Sequence, residues 1–168
     1  MMYSVGDKVV HRGYGPGVII SVERRQVIGE AQRYYVIDML TGGGTLMTPV
    51  SRADQVGLRP AVSDEAVRRL FELLAKAPGT LSSDFRERQA EVEERLKKGD
   101  IFATAEVVRD LTWYGQAHRL TKRDMQLMKR AEELLGGELS LVQEIEVKEA
   151  IEQVEAILAE AIRDQEFG

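Results

Sequence analysis

Apolar residues alternate with polar ones near the start of the chain, whereas further along they recur at helical spacing. In residues 5–19 two apolar segments are separated by Gly13, Gly15, Pro16 and Gly17. Glycine allows the positive φ angles and the close backbone approaches that tight turns need. This segment therefore predicts a strand, a turn and a second strand.

The alternation continues as far as residue 59. Residues 17–27 and 33–40 are rich in β-branched and aromatic residues, and Gly29 with Glu30 supplies the turn between them. A run of three glycines, 42–44, turns the chain into a segment that contains Pro49, which must lie at a strand end or sheet edge because it has no N–H to donate. Five short strands in residues 1–59 predict a small SH3- or Tudor-like β-barrel.

Helical periodicity begins after Pro60. The predicted helices span residues 64–76 with Ser63 as N-cap, 84–98, 101–118, a segment that starts after Thr121, and 147–163. The pattern leaves open whether the fourth helix ends at Gly136 and Gly137 or continues through residues 138–145. Residues 60–168 thus predict an all-α helical bundle, and the whole chain is predicted to be an α+β protein of two domains.

Composition limits the chemistry that the chain can support. It has no cysteine, which excludes disulfides and thiolate metal sites and fits a reducing cytoplasm. His11 and His118 are its only histidines and lie far apart in sequence, so we expect no metal, no cofactor and no catalysis. No segment approaches the ~20 apolar residues of a membrane span, and the start lacks a basic, apolar leader. We expect a cytoplasmic protein.

Charge is distributed unevenly along the chain, whose formal net charge is −5. Residues 1–59 carry seven basic and five acidic side chains, residues 60–136 carry fourteen of each, and residues 137–168 carry two basic and nine acidic ones. The balance argues against a protein that holds DNA by charge alone. Because the acidity is concentrated at the end, it is compatible with a basic face nearer the front.

Four features along the chain together form a recognisable pattern. They are Val5-Gly6-Asp7-x-Val9-Val10 with Gly13 and Gly15, then Pro49, then Val56-Gly57-Leu58-Arg59, and the run from Ala105 to Leu111, Ala-Glu-Val-Val-Arg-Asp-Leu. In this order they resemble the CarD/CdnL family of bacterial transcription factors over essentially the whole chain. The last run is the most specific, since the polymerase-binding module of transcription-repair coupling factor shares the front pattern.

The resemblance implies two partners. The barrel resembles a module that binds the RNA polymerase β subunit, and Arg25 matches an arginine that the family uses there, while Met47 replaces a second one. We expect Arg24, Arg25, Met47 and Pro49 to form the polymerase-binding surface. The helical domain resembles one that contacts promoter DNA near the upstream edge of the melted region, wedges an aromatic side chain into the minor groove and stabilises the open complex.

Phe85 stands where the family carries the tryptophan wedge. An apolar side chain can partly unstack a base step, and nearby cations neutralise phosphates. We expect the DNA-binding residues to be Phe85, Arg86, Arg88, Lys122, Arg123 and Lys129. Glu87, Ala90 and Met125 depart from basic positions of the family, which lowers the expected DNA affinity.

Three other interpretations remain open at this stage. Phe85 could be a hydrophobic staple or an edge core residue, and the flanking charges an ordinary solvated helix face. The protein, expected to be a monomer, could be an adaptor on RNA polymerase that never contacts DNA. A barrel that binds single-stranded RNA would need exposed aromatic residues over a basic groove, which Tyr34 and Tyr35 hardly provide.

Overall fold

The computed structural model describes residues 2–26 and 29–167, and the chain divides into two compact units, Met1–Val62 and Ser63–Gly168. The division falls three residues beyond the predicted boundary at residue 59. The difference arises because the last strand of the β unit extends to Pro60 and the first helix begins only at Asp64. The α+β class predicted from the sequence is confirmed.

The β unit contains one antiparallel sheet of five strands among its described residues. The strands are β1 Lys8–His11, β2 Gly15–Arg25, β3 Gln32–Met39, β4 Thr45–Pro49 and β5 Leu58–Pro60, in the order β4-β3-β2-β1-β5. This sheet is consistent with the predicted Tudor-like domain. The predicted end of the second strand, Val27, lies outside the described residues.

Two tyrosines anchor the core of the β unit. The Tyr3 and Tyr35 rings meet edge to face with centroids 5.5 Å apart, and both are buried with Ile19 and Ile37. The Tyr3 backbone N–H donates to the Tyr35 hydroxyl at 3.0 Å, and the Tyr3 hydroxyl donates to the Leu58 carbonyl at 3.2 Å. The buried hydroxyls are thereby satisfied, as buried polar groups must be.

Gly17 occupies a place where the backbones approach too closely for any side chain. It pairs with Val9 on one side and Met39 on the other. A Cβ atom there would lie 2.7 Å from the carbonyl oxygen of Asp38 and 2.7 Å from a methyl carbon of Ile37. The glycine that the sequence pattern placed near the first turn is thus required by close approach inside the sheet.

The helical unit has five helices among its described residues. They are α1 Asp64–Ala75, α2 Phe85–Lys97, α3 Ile101–Ala117, α4 Lys122–Gln143 and α5 Val147–Phe167. Ser63 and Thr121 cap α1 and α4 as predicted, each accepting a backbone N–H on its side-chain oxygen. None of the helices in the described part of the chain is both long and apolar enough to cross a membrane.

Helix α4 continues through Gly136 and Gly137, which settles the question that the sequence left open. A Cβ atom at Gly136 would lie 2.6 Å from Ile151 on α5. Gly136 therefore lets α5 pack closely against α4, and this packing outweighs the low helix propensity of glycine. Helix α5 is also four residues longer than predicted.

The most specific sequence run lies at the centre of the helical unit. Ala105, Val107, Val108 and Leu111 of α3 are almost completely buried. Asp110, in the same run, is also buried. A carboxylate in such a place requires charged partners, and these partners determine the path of a nearby loop.

Candidate functional site

The segment that joins α1 to α2, residues 76–84, is called the linker below, and it leads directly to Phe85. Its first fixed point is Gly79, whose backbone N–H donates to the Asp110 carboxylate at 2.9 Å. Leu81 of the linker is buried and adds an apolar anchor. The linker thus has defined contacts with the core although it contains no helix or strand.

Asp110 accepts hydrogen bonds from two arginines as well as from the linker. Arg95 of α2 donates to it at 3.0 Å and Arg109 of α3 at 2.9 Å. Arg109 also donates to the carbonyl oxygen of Leu73 near the end of α1, at 3.2 Å. One buried carboxylate therefore connects α2, α3 and the linker, and through Arg109 it reaches α1.

Arg88 of α2 forms a second buried pair, with Asp124 of α4. The two side chains are 3% and 1% exposed, and the guanidinium makes a bidentate contact with the carboxylate through hydrogen bonds of 3.1 and 2.7 Å. Its third nitrogen donates to the carbonyl oxygens of Ser82 and Ser83 at 3.1 and 3.4 Å and to the Tyr114 hydroxyl at 3.0 Å. The end of the linker is thereby attached to α3 and α4.

Asp124 also belongs to the N-terminus of α4. It accepts the backbone N–H of Thr121 at 2.8 Å, and the Thr121 hydroxyl accepts the N–H of Asp124 in return, which completes a capping box. Burial raises the pKa of Asp124, but hydrogen bonds from Arg88 and Thr121 outweigh that effect and lower the pKa to about 2. The Asp124 carboxylate is therefore ionised at neutral pH, and its hydrogen bond raises the pKa of Arg88.

Phe85 is the first residue of α2, and 52% of it is exposed. Asp84 caps the helix by accepting the backbone N–H groups of Arg86 and Glu87 at 2.8 and 3.2 Å. The Arg86 guanidinium carbon lies 5.5 Å from the centre of the Phe85 ring. This places an exposed aromatic ring and a cation together at the end of the linker.

The predicted DNA-binding residues differ in how far they are exposed and in the partners that they contact. Phe85 and Arg86 lie together at the start of α2, while Lys122 and Lys129 are exposed on α4. Arg123 is half exposed but is paired with Glu93 of α2. Arg88, predicted to contact phosphate, is buried against Asp124 and does not belong to the exposed set. Met125, beside Lys122 and Arg123, is 54% exposed and adds a second apolar side chain at the start of α4.

The predicted polymerase-binding residues divide between the two faces of the sheet. The core lies on the face that carries Tyr35 and Ile37. Because side chains alternate between faces, their neighbours on β3 face the other way, and the register pairs Met47 with Val36, Pro49 with Tyr34 and Arg25 with Gln32. Arg25, Met47 and Pro49 therefore share the face opposite the core, whereas Arg24 lies on the same side as the core.

Of these residues, Met47 and Pro49 lie on an edge strand of the sheet, and Arg25 lies two strands away from it. β4 is the outermost strand on its side, so its outer edge pairs with no other strand among the described residues. Arg25 at the end of β2 is 56% exposed and forms an ion pair with Glu23 at 2.8 Å. An unpaired edge can pair with a strand from a partner, and an arginine can donate a charge-assisted hydrogen bond to that partner.

Sequence reasoning gave no role to the carboxylates of Asp110 and Asp124, and it assigned Tyr114 only to packing between helices. The only local signal for any of them is the spacing of Asp124 from Thr121, which fits a capping box. Apart from Arg109 and Thr121, the partners described above lie 15 to 36 residues away along the chain, which no local pattern encodes. Within the residues that the structure describes, no group of three or more His, Cys, Asp or Glu side chains could hold a metal ion.

Comparison with known proteins gives the same division of the chain. The family model described as "CarD-like/TRCF RID domain" matches residues 3–62, and the one described as "CarD, C-terminal domain" matches residues 69–155. The "Putative transcription factor YdeB" of Bacillus subtilis (strain 168) is 28% identical over 148 residues. That alignment covers 88% of this chain and 97% of the relative.

The Arg88–Asp124 pair makes a prediction about stability. Replacing Arg88 by Met leaves the buried Asp124 charge without its main partner, so we expect a loss of about 3–5 kcal/mol in the free energy of unfolding. Adding Asp124→Asn should recover most of that loss, because Asn removes the charge and keeps a capping oxygen. Urea unfolding followed by the fluorescence of Trp113, the single tryptophan, measures both variants. Arg123→Met, which removes an exposed pair, should cost about 1 kcal/mol or less.

Acid should weaken the same pair. Because the folded-state pKa of Asp124, about 2, lies below its unfolded value, the contribution of the ionised carboxylate is complete above about pH 4 and is lost as the pH falls through about 2. The difference in unfolding free energy between the parent and Asp124→Asn should therefore be largest above pH 4 and shrink towards pH 2. Urea titrations at several pH values test this, and a difference that stays constant would contradict it.

Proposed function

Because this chain belongs to the CarD family of transcription factors, which bind RNA polymerase and regulate transcription, we propose that it stabilises the open promoter complex. In this proposal the β unit binds the polymerase β subunit and the helical unit contacts promoter DNA at the upstream edge of the melted region. The protein acts as a monomer in the cytoplasm and catalyses no reaction.

One observation carries the DNA-contacting part of the proposal. Phe85 is an aromatic ring that is half exposed although the linker before it is held by Asp110 and by Arg88. The ring of a staple or an edge core residue would be covered by its neighbours. An exposed ring on a fixed base can enter a minor groove, unstack a base step and oppose closure of the duplex.

The cations near Phe85 provide moderate phosphate contacts. Arg86 lies beside the ring, and Lys122 and Lys129 are exposed on α4. Arg123 would first have to leave Glu93. Because the helical unit carries more acidic than basic side chains, it binds DNA weakly by itself, and attachment to polymerase supplies the local concentration that it lacks.

The β unit docks through the face that carries Arg25, Met47 and Pro49. The unpaired edge of β4 offers backbone groups to a strand of the β subunit, and Arg25, on the same face but two strands from β4, offers a charge-assisted hydrogen bond. Arg24, on the core side of the sheet, contributes less.

A second candidate function is an adaptor that binds polymerase and another protein without contacting DNA. The observation that favours it is that two of the predicted DNA-binding arginines are engaged within the protein. Arg88 is buried, and Arg123 is paired with Glu93. The formal charge of −5 points in the same direction. The two functions differ in whether Phe85 affects promoter opening.

Removing the Phe85 ring tests the wedge. With purified polymerase and a fluorescent promoter template, Phe85→Ala should shorten the open-complex lifetime about tenfold, equivalent to about 1.4 kcal/mol, and Phe85→Trp should lengthen it because the larger ring stacks better. Tyr14→Ala is a matched control, since it removes another exposed aromatic ring, in the turn between β1 and β2. An unchanged lifetime for Phe85→Ala would favour the adaptor.

The two faces of the sheet predict different effects of neighbouring arginines. Arg25→Glu should weaken binding of the full-length protein to RNA polymerase about tenfold, which is equivalent to about 1.4 kcal/mol. Arg24→Glu makes the same change of charge on the other face and should weaken binding much less. A fluorescence titration of labelled protein with polymerase measures both, and equal losses would argue against docking through the face that carries Arg25.

A further inference from the structure

We propose that Arg88 is the positioning residue for Phe85: its guanidinium holds the end of the linker against α3 and α4 and so fixes the direction in which the ring projects. This inference rests on the proposed wedge function and adds the residue that orients the Phe85 ring. It gives Arg88 a role different from the phosphate contact that the sequence predicted.

The contacts of the guanidinium lie next to the ring. Ser82 and Ser83, whose carbonyl oxygens accept from Arg88 at 3.1 and 3.4 Å, come directly before the N-cap residue Asp84 and then Phe85. Arg88 itself lies three residues after Phe85, about one turn along α2. It therefore holds the backbone that carries the ring from both sides, through the linker and through the first turn of the helix.

The guanidinium also contacts two further helices. Its bidentate contact with Asp124 fixes it to α4, and its hydrogen bond to the Tyr114 hydroxyl fixes it to α3. The guanidinium carbon also lies 4.6 Å from the centre of the Tyr114 ring. Arginine is the side chain that can make all these contacts at once, because its planar fork carries five N–H donors.

Local contacts of the linker cannot replace this attachment. The Ser82 hydroxyl accepts the backbone N–H of Asp84 at 3.1 Å and donates to Glu87 at 2.9 Å. These bonds shape the turn, but they join it only to the first turn of α2. Near Phe85, Arg88 joins this turn directly to α3 and α4, while Gln89, the next residue of α2, adds a bond from α2 to the Thr121 hydroxyl at 2.9 Å.

Orientation matters for a wedge because the ring must resist a closing duplex. A ring on a loose turn loses conformational freedom on insertion and can move aside, which reduces its effect on the open complex. A ring on a fixed turn enters in the geometry that it already has. Loss of Arg88 should therefore weaken the wedge even in a protein that remains folded.

The test combines Arg88→Met with Asp124→Asn, so that no buried charge is left unpaired. A fluorinated phenylalanine at position 85 reports the ring directly by ¹⁹F NMR of the full-length protein. We expect the signal to narrow and shift towards that of the free amino acid in the double variant. Arg123→Met, which removes the surface contact between α2 and α4, should leave the signal unchanged.

A mutant cycle with Phe85→Ala supplies the functional measurement. The double variant should shorten the open-complex lifetime nearly as much as Phe85→Ala does, and adding Phe85→Ala to it should cause little further change. Its affinity for RNA polymerase should equal that of the parent. Additive effects of the two sets of changes would overturn the positioning role, since a separate contribution to stability or binding would simply add.

The outcomes separate this inference from the proposed function. If Phe85→Ala shortens the lifetime but the double variant changes neither the lifetime nor the ¹⁹F signal, the positioning role is wrong and the wedge stands. If Phe85→Ala has no effect, the wedge is wrong, and the inference falls with it. Should the double variant fail to fold, Arg88→Lys keeps the charge but not the fork, and an unchanged ¹⁹F signal in that variant would overturn the inference.

Discussion

A carboxylate inside a protein must find charged partners and hydrogen-bond donors, and this requirement organises the helical unit. Asp110 and Asp124 are each about 1% exposed at the side chain, and each is bound by arginine. Both pairs also involve the linker, Asp110 directly through Gly79 and Asp124 through Arg88. Because the linker is fixed at both points, the helix that follows it begins in a defined place with an aromatic ring on its first, exposed residue.

Such pairs contribute more to specificity than to stability. The cost of removing two charges from water roughly cancels their attraction, so well-packed apolar residues can serve equally well in the energy of folding. Apolar residues cannot, however, bind the carbonyl oxygens of Ser82 and Ser83. The buried arginine is therefore explained by the backbone that it holds rather than by the free energy that it adds.

The sequence predicted the elements better than the contacts between them. Strands, turns and the caps Ser63 and Thr121 follow from local chemistry, which the chain displays directly. Phe85 could be proposed as a site residue from a family position, but the burial of Arg88 could not be predicted, because its partner lies 36 residues away on another helix. The path of α4 through Gly136 was likewise undecided, since it depends on the packing of Ile151 from α5.

The charged side chains of the helical unit bear on how the proposed function works. Arg88, Arg95 and Arg109 are engaged inside the helical unit, and Arg123 is paired at its surface. The helical unit also carries more acidic than basic side chains, so its attraction to phosphates is weak overall and its proposed effect on DNA comes chiefly from shape. A rigid apolar ring meets that need, because unstacking a base step requires a firm side chain more than a strong field. Weak attraction to DNA is then an advantage, since a protein that is held at the promoter through polymerase does not remain on the rest of the chromosome.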